Sequence, residues 1–259
     1  MSLQQARDNS YEVYIKSSKD KNPTDTLTNF TARFNIPVML GNGNYEMALQ
    51  SLAVCNTIPQ FKSDNNKFNL GINEYSIDLN TVFNNATELC TELTNLSSSY
   101  NLVFSLDALS KKIKIQNNDV AVRTFDLSQQ NYRNFWNKIG LETTINSTQL
   151  EVQPSESVIL DNIPFIIATQ RVYLSCNEIV SNSVYNSGSS GSKGIMSYLD
   201  INTSYGTYST YRDNTFYFHD LITNNELSSL TFRLLDDNYE EIENLNGGSV
   251  NISLIIRKA

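Results

Sequence analysis

The chain has 259 residues, room for one large β-domain or two smaller ones at roughly 100–200 residues per domain. Its net charge of −8 excludes broad adhesion to a nucleic-acid backbone, which needs clustered Lys and Arg, so no direct nucleic-acid binding is expected. No run of roughly 18 apolar residues occurs, so no transmembrane segment is predicted.

Residues 1–10 are polar and predict a loose arm that could dock on a neighbour in an assembly. They hold no apolar core of a secretory signal. Synthesis without such a signal is expected, with Cys55, Cys90 and Cys176 as reduced, buried thiols. Tyr11, Val13 and Ile15 alternate with polar neighbours and predict a short strand ending in the turn-rich run 17–25. Phe30, Ala32, Phe34 and Ile36 predict a second strand, closed by Pro37. The turn Gly41-Asn42-Gly43-Asn44 leads into a third, in which Tyr45, Met47 and Leu49 share one parity but Leu52 and Val54 take the other. Such a flip predicts a bulge, or a stretch buried on both faces.

From about Phe61 to Val152 the pattern changes. The run 67–79 reads as extended. Ala86, Leu89, Cys90, Leu93 and Leu96 recur at helical spacing, with Asn85 as N-cap and Glu88 as its reciprocal partner. Leu102, Phe104 and Leu106, a turn at 107–110, and Ile113 with Ile115 predict a hairpin; residues 123–127 predict a further strand. Ser128 is placed to cap a second helix striped by Tyr132, Phe135, Trp136 and Ile139 and ended by Gly140.

After Val152 strand periodicity returns at 158–160, 172–176, 195–201 and 216–218. It closes on Leu230, Phe232 and Leu234, then Val250, Ile252, Leu254 and Ile256. The polar link 236–248 between the last two runs predicts that they pair. About eight strands in all suit a jelly roll. The fold expected is therefore mainly β, a single jelly-roll β-sandwich built from residues 1–62 and 153–259, with a small α+β domain inserted at 63–152.

Candidate sites are few. Gly188, Gly191 and Lys193 are spaced too closely for a phosphate-binding loop, which needs four residues between its glycines and Ser or Thr after the Lys; a surface loop is the better reading. His219 is the only His, so a multi-His metal cage is excluded, and nothing in the spacing supplies a nucleophile beside it. Asp236, Asp237, Asn238 and Glu240 could offer oxygen ligands to Ca²⁺, but not at EF-hand spacing; an acidic turn between strands is the plainer reading. Tyr198, Tyr205, Tyr208, Tyr211 and Tyr217 crowd one region. They read either as a subunit-contact surface or as cross-strand aromatics of an ordinary sheet. Neither catalytic residues nor a cofactor are expected.

The order of these segments resembles a family. Residues 28–54, TNFTARFNIPVMLGNGNYEMALQSLAV, and residues 230–258, LTFRLLDDNYEEIENLNGGSVNISLIIRK, are similar to the early and final strands of the penton-type, single jelly-roll minor capsid proteins of polinton-like viruses and Mavirus-like virophages. The strand–helix–hairpin–strand–helix layout of the insert is similar too. One departure is that Asn238 and Tyr239 stand in the acidic turn, where relatives place Gly. The resemblance implies a structural, non-enzymatic protein of the virion. It would form homopentamers at icosahedral fivefold vertices and contact the major capsid protein. The competing expectation is a jelly-roll attachment module that binds a carbohydrate or receptor.

Overall fold

The computed structural model describes residues 2–6, 10–40, 43–166, 168–180, 184–186, 192–212, 215–222, 226–243 and 245–259. The chain divides into two compact units, residues 1–58 with 169–259, and residues 59–168.

The first unit contains β1 (Ser2–Ala6), β2 (Ser10–Lys16), the short α1 (Ser17–Asp20), β3 (Asn29–Met39) and β4 (Tyr45–Cys55) before the second unit begins. The second unit supplies β5 (Lys67–Leu70), β6 (Asn73–Ser76), α2 (Ala86–Leu96), β7 (Leu102–Leu106), β8 (Ile113–Asn117), β9 (Arg123–Asp126), α3 (Gln130–Ile139), β10 (Gln149–Val152) and β11 (Ser157–Ile159). The first unit then resumes with β12 (Arg171–Cys176), β13 (Ile179–Val180), β14 (Val184–Asn186), β15 (Ser192–Asp200), β16 (Tyr208–Arg212), β17 (Phe218–Leu221), β18 (Glu226–Leu235) and β19 (Val250–Lys258).

Two antiparallel sheets make the first unit. One runs β1-β2-β19-β4-β17-β13, with β16 also on β4; the other runs β14-β15-β12-β18-β3. Strands β16 and β17 occupy successive lengths of the same edge of β4, Ser51–Cys55 and Glu46–Ala48, and so count as one interrupted strand. Leaving aside the short margins β1, β13 and β14, the first sheet holds the first, eighth, third and sixth strands of the unit. The second sheet holds the second, seventh, fourth and fifth. This is a jelly roll, two Greek keys folded together. The second unit is inserted between its third and fourth strands.

Alternation produces the burial. Val13 and Ile15, Leu52 and Val54, and Ile252, Leu254 and Ile256 line the inner face of the first sheet. Phe30 and Phe232, packed 5.6 Å apart, join Ala32, Leu230, Leu174 and Val172 on the second. The parity flip in β4 comes from a bulge, one of its two expected causes. The β19–β4 register shifts between Ser253 and Leu254, so Gln50 is an extra residue with no opposite number, and the Ser253 hydroxyl donates to its Oε1. Met47 and Leu49 on one side of the bulge, and Leu52 and Val54 on the other, thus all reach the core.

Several expectations are corrected. The closing strands do not pair: β18 lies in one sheet and β19 in the other, because the link 236–249 carries the chain between the sheets. Pro37 does not end its strand. β3 continues to Met39 across a register shift, where Arg33 faces Ser229 and Val38 faces Leu227, so the Pro falls where no ladder hydrogen bond is required. The N-terminal residues pair as β1 along β2, Ser2 opposite Tyr14 to Ala6 opposite Ser10. The loop around Gly188 and Gly191 lies outside the described residues, whereas Lys193 belongs to β15.

The insert closes its own core. Phe68 stacks on Phe135 at 5.0 Å, Phe125 meets Trp136 edge-on at 4.7 Å, and Phe61, Leu89, Leu93, Phe104, Ile113, Ile115 and Ile139 complete the cluster. Asn85 caps α2 by accepting from the Glu88 N–H, while the Glu88 carboxylate receives the Asn84 N–H. Ser128 does not cap α3; Gln129 holds that position without a side-chain bond, and buried Arg133 binds the Leu127 and Ser128 carbonyls instead. Gly140 ends α3 at φ 112°, and a Cβ there would meet the Asn162 carbonyl oxygen at 2.3 Å. The unit also reaches past Val152. β11 pairs with β8, and Leu160 joins the core, which is why the boundary falls at Ala168 rather than at 152.

Residues 59–168 are therefore expected to fold when expressed alone, with blue-shifted Trp136 emission. A segment cut to 63–152 loses Phe61 and Leu160, both about 1% exposed, and its unfolding free energy should fall by about 3–6 kcal/mol at 1.5–3 kcal/mol per buried side chain. Equal denaturation midpoints for the two segments would show that the longer boundary is wrong.

Candidate functional site

The five tyrosines do not form one patch. Tyr198 faces outward on β15 of the second sheet, with the Arg171 guanidinium 4.4 Å from its ring centroid and the Tyr173 ring at 6.1 Å. Tyr205 lies in the turn before β16, its hydroxyl donating to the Thr57 carbonyl and accepting from Asn246. Tyr208 faces outward on the first sheet and bonds Ser249 at 2.7 Å, while Tyr211, opposite core residue Leu52, has the inward parity. Tyr217 is 74% exposed just before β17. Because strand parity alternates and the two sheets have opposite outer faces, closeness in sequence does not become closeness in space.

Sequence reasoning missed the partners of Tyr198. Tyr173 stands opposite it on β12 and packs at 4.5 Å against Tyr239. These three rings, with Arg171 and its partner Asp200 at 2.8 Å, form a ladder on the outer face of the second sheet. Tyr239 also carries the left-handed turn, at φ 60°, so the positive φ of this turn falls on Tyr239 rather than Asn238. The alternating parity of Tyr173 and Tyr198 was readable in the sequence; the contact with Tyr239 was not.

Two carboxylates of the acidic turn are engaged by the chain itself, one oxygen of each. One oxygen of Asp236 accepts the Asn238 and Glu240 N–H groups, and Asp237 accepts the Thr169 hydroxyl and the Gln170 N–H. It is an Asx-type turn stapled to the start of β12. Among the described residues, no group of three or more His, Cys, Asp or Glu is arranged to hold a metal ion.

Of the remaining reactive side chains, the cysteines are buried and His219 is half-buried. His219 sits opposite Met47 in the β17–β4 ladder. All three cysteines are free and buried. Burial pushes the Cys90 thiol up to about 11 and also raises Cys176, whose Sγ lies 3.3 Å from Glu178. Both of these thiols are thereby held in the protonated form at neutral pH.

The first sheet presents a different outer surface. Across it, Tyr14 on β2, Ser253 on β19, Ser51 on β4 and Arg212 on β16 fall in one row, with Lys16, Asn251, Ala53 and Thr210 in the next row of the same parity. Small side chains on the two central strands and long ones on the flanking strands make a trough of about 600 Å³, to which α1 adds Lys19 and Asp20. Farther along this sheet Arg257 lies 3.5 Å from the Phe218 ring centroid and pairs with Glu46.

These outer faces belong to a scaffold similar in structure to two virophage entities. The mavirus penton protein aligns over 97% of this chain and 99% of its own, at 13% identity and a TM-score of 0.49. The Sputnik virophage structure aligns over 97% and 98%, at 12% identity and a TM-score of 0.46. No protein-family model matches the chain, and no curated protein matches it.

The tyrosine ladder yields a stability ordering. Tyr239→Ala removes the stacking but keeps the left-handed strain, and should cost about 1–2 kcal/mol given about 0.5–1.5 kcal/mol for such a ring pair plus lost area. Tyr239→Gly relieves about 1–2 kcal/mol of that strain and should lie between Ala and the parent chain in chemical denaturation. If Gly proves less stable than Ala, the strain assigned to this turn is absent.

Proposed function

We propose that this chain is a structural capsid protein of the penton type: a jelly-roll subunit that assembles as a homopentamer at the fivefold vertices of a virion and contacts the major capsid protein there. The observation that carries the reading is the order of elements. Residues 28–54 and 230–258, which resemble the virophage penton family in sequence, provide the second, third, seventh and eighth strands of the sandwich. The strand, helix, hairpin, strand and helix expected between them occur in that order in the insert.

The chemistry of the site is in keeping with a structural role. The Cys90 and Cys176 thiols are held protonated, Asp236 and Asp237 of the acidic turn accept hydrogen bonds from the chain itself, and the surface features described above are sheet faces. We therefore assign no enzymatic activity and no cofactor. A pair of rigid sheets with loops at both ends suits repeated head-to-tail contact, and such a contact closes into a ring when the rotation between copies closes.

Native mass spectrometry of the full chain over a rising concentration series, with imaging of the resulting particles, tests the assignment. Rings of five are expected. Trimers or sixfold arrays would move the protein to a major-capsid role, and a persistent monomer that binds glycans would move it to an attachment module.

A further inference from the structure

The trough on the first sheet is positive on a negative molecule. Lys16, Lys19 and Arg212 line it against the single carboxylate of Asp20, while the whole chain carries −8. All three cations are without an ion-pair partner among the described residues. Tyr14 in the lining donates its hydroxyl to Glu12 at 2.7 Å. The cations sit at both ends: Lys16 and Lys19 by β2, and Arg212 on β16, three strand spacings away, or about 14 Å at 4.7–4.9 Å per spacing. A chain laid along the trough in extended form would span that gap in about four residues.

A complementary surface exists on the same molecule. The link between β18 and β19 exposes Asp237, Glu240, Glu241 and Glu243, and no Lys or Arg lies between Leu235 and Val250. Tyr239 roots this link on the ladder of the second sheet's outer face. The trough occupies the outer face of the first sheet, so one chain cannot close the two patches on each other. Both lie at the same end of the sandwich, where β2, β4 and β18 end and β19 begins. A rotation of one copy about an axis along the strands, with no shift along them, therefore brings the link of one chain to the trough of the next. That is the geometry a closed ring requires.

We infer that the trough is the receiving half of a head-to-tail contact between copies of this chain, and that the acidic link 236–243 of the neighbouring copy is its occupant. This rests on the penton reading and adds the polarity and chemistry of the subunit contact. Charge pairs of this kind select orientation and weaken with salt.

The experiment uses the full chain and measures association by sedimentation at 50 mM and 500 mM salt. Three variants accompany the parent: a trough reversal (Lys16→Glu with Arg212→Glu), a link reversal (Glu240→Lys with Glu241→Lys), and all four changes together. Each reversal is expected to weaken association by about tenfold or more at low salt, and the four-change chain to recover to within about threefold of the parent. The parent itself should associate less tightly at the higher salt. Unchanged thermal midpoints establish that the variants are folded, and recovery in the combined chain cannot arise from misfolding. Single reversals that leave a ring of five intact overturn this contact while the penton assignment stands. A parent that forms some other ring overturns that assignment instead. A combined chain that stays dissociated, or a parent that remains monomeric throughout, shows that the two patches are not partners.

Discussion

Strand β19 holds the first sheet together from within. It pairs with β2 over seven residues and with β4 over nine, so neither neighbour has its inner edge satisfied until the last residues of the chain are in place. Unpaired backbone groups at a buried edge are costly, and this constraint ties the two ends of the sequence to its third strand. The Gln50 bulge belongs to the same constraint. With strict two-residue alternation, β4 could bury Met47 and Leu49 or Leu52 and Val54, but not both sets; one extra residue lets a single strand present both to the core.

The insert obeys a separate economy. Its aromatic cluster of Phe68, Phe125, Phe135 and Trp136 is closed by its own helices and strands. Its two connecting segments converge on the end of α3. Lys138 lies 5.5 Å from the Phe61 ring centroid and 5.6 Å from that of Phe165, and the Phe165 N–H donates to the Lys138 carbonyl. Burial between those rings lowers the Lys138 ammonium to about 8. With its ends gathered in this way, a unit of this size adds little loop-closure cost to the host sandwich. The connection between the third and fourth strands can therefore carry it without altering the sheet order.

The outer surfaces follow from the same sheets. Each sheet has an inner face fixed by packing and an outer face left to composition. The second sheet's outer face gathers a tyrosine ladder and an acidic link, the first sheet's a small-residue trough rimmed by Lys and Arg. The trough and the link are local patches of opposite sign, and it is these patches, not the net charge of either face, that the proposed head-to-tail contact would bring together.

Local chemistry was legible in the sequence: the alternation that marks the strands, the parity flip at Gln50, the Asn85 cap, the Gly140 stop and the aromatic stripe of α3. Each depends on residues within a few positions of one another, where side-chain period and backbone preference act directly. Pairing was not legible. Nothing near Leu235 or Val250 says that β18 and β19 enter different sheets, that β1 adds to β2, or that Val158 pairs within the insert. Every strand offers the same N–H and C=O groups along its edges, so the choice of partner is made by which faces can be buried together across the whole fold. The five tyrosines show the consequence. Sequence placed them side by side, and the sandwich sent Tyr198 to one outer face, Tyr208 to the other and Tyr211 inward, because parity and sheet membership, not proximity along the chain, decide what a side chain meets.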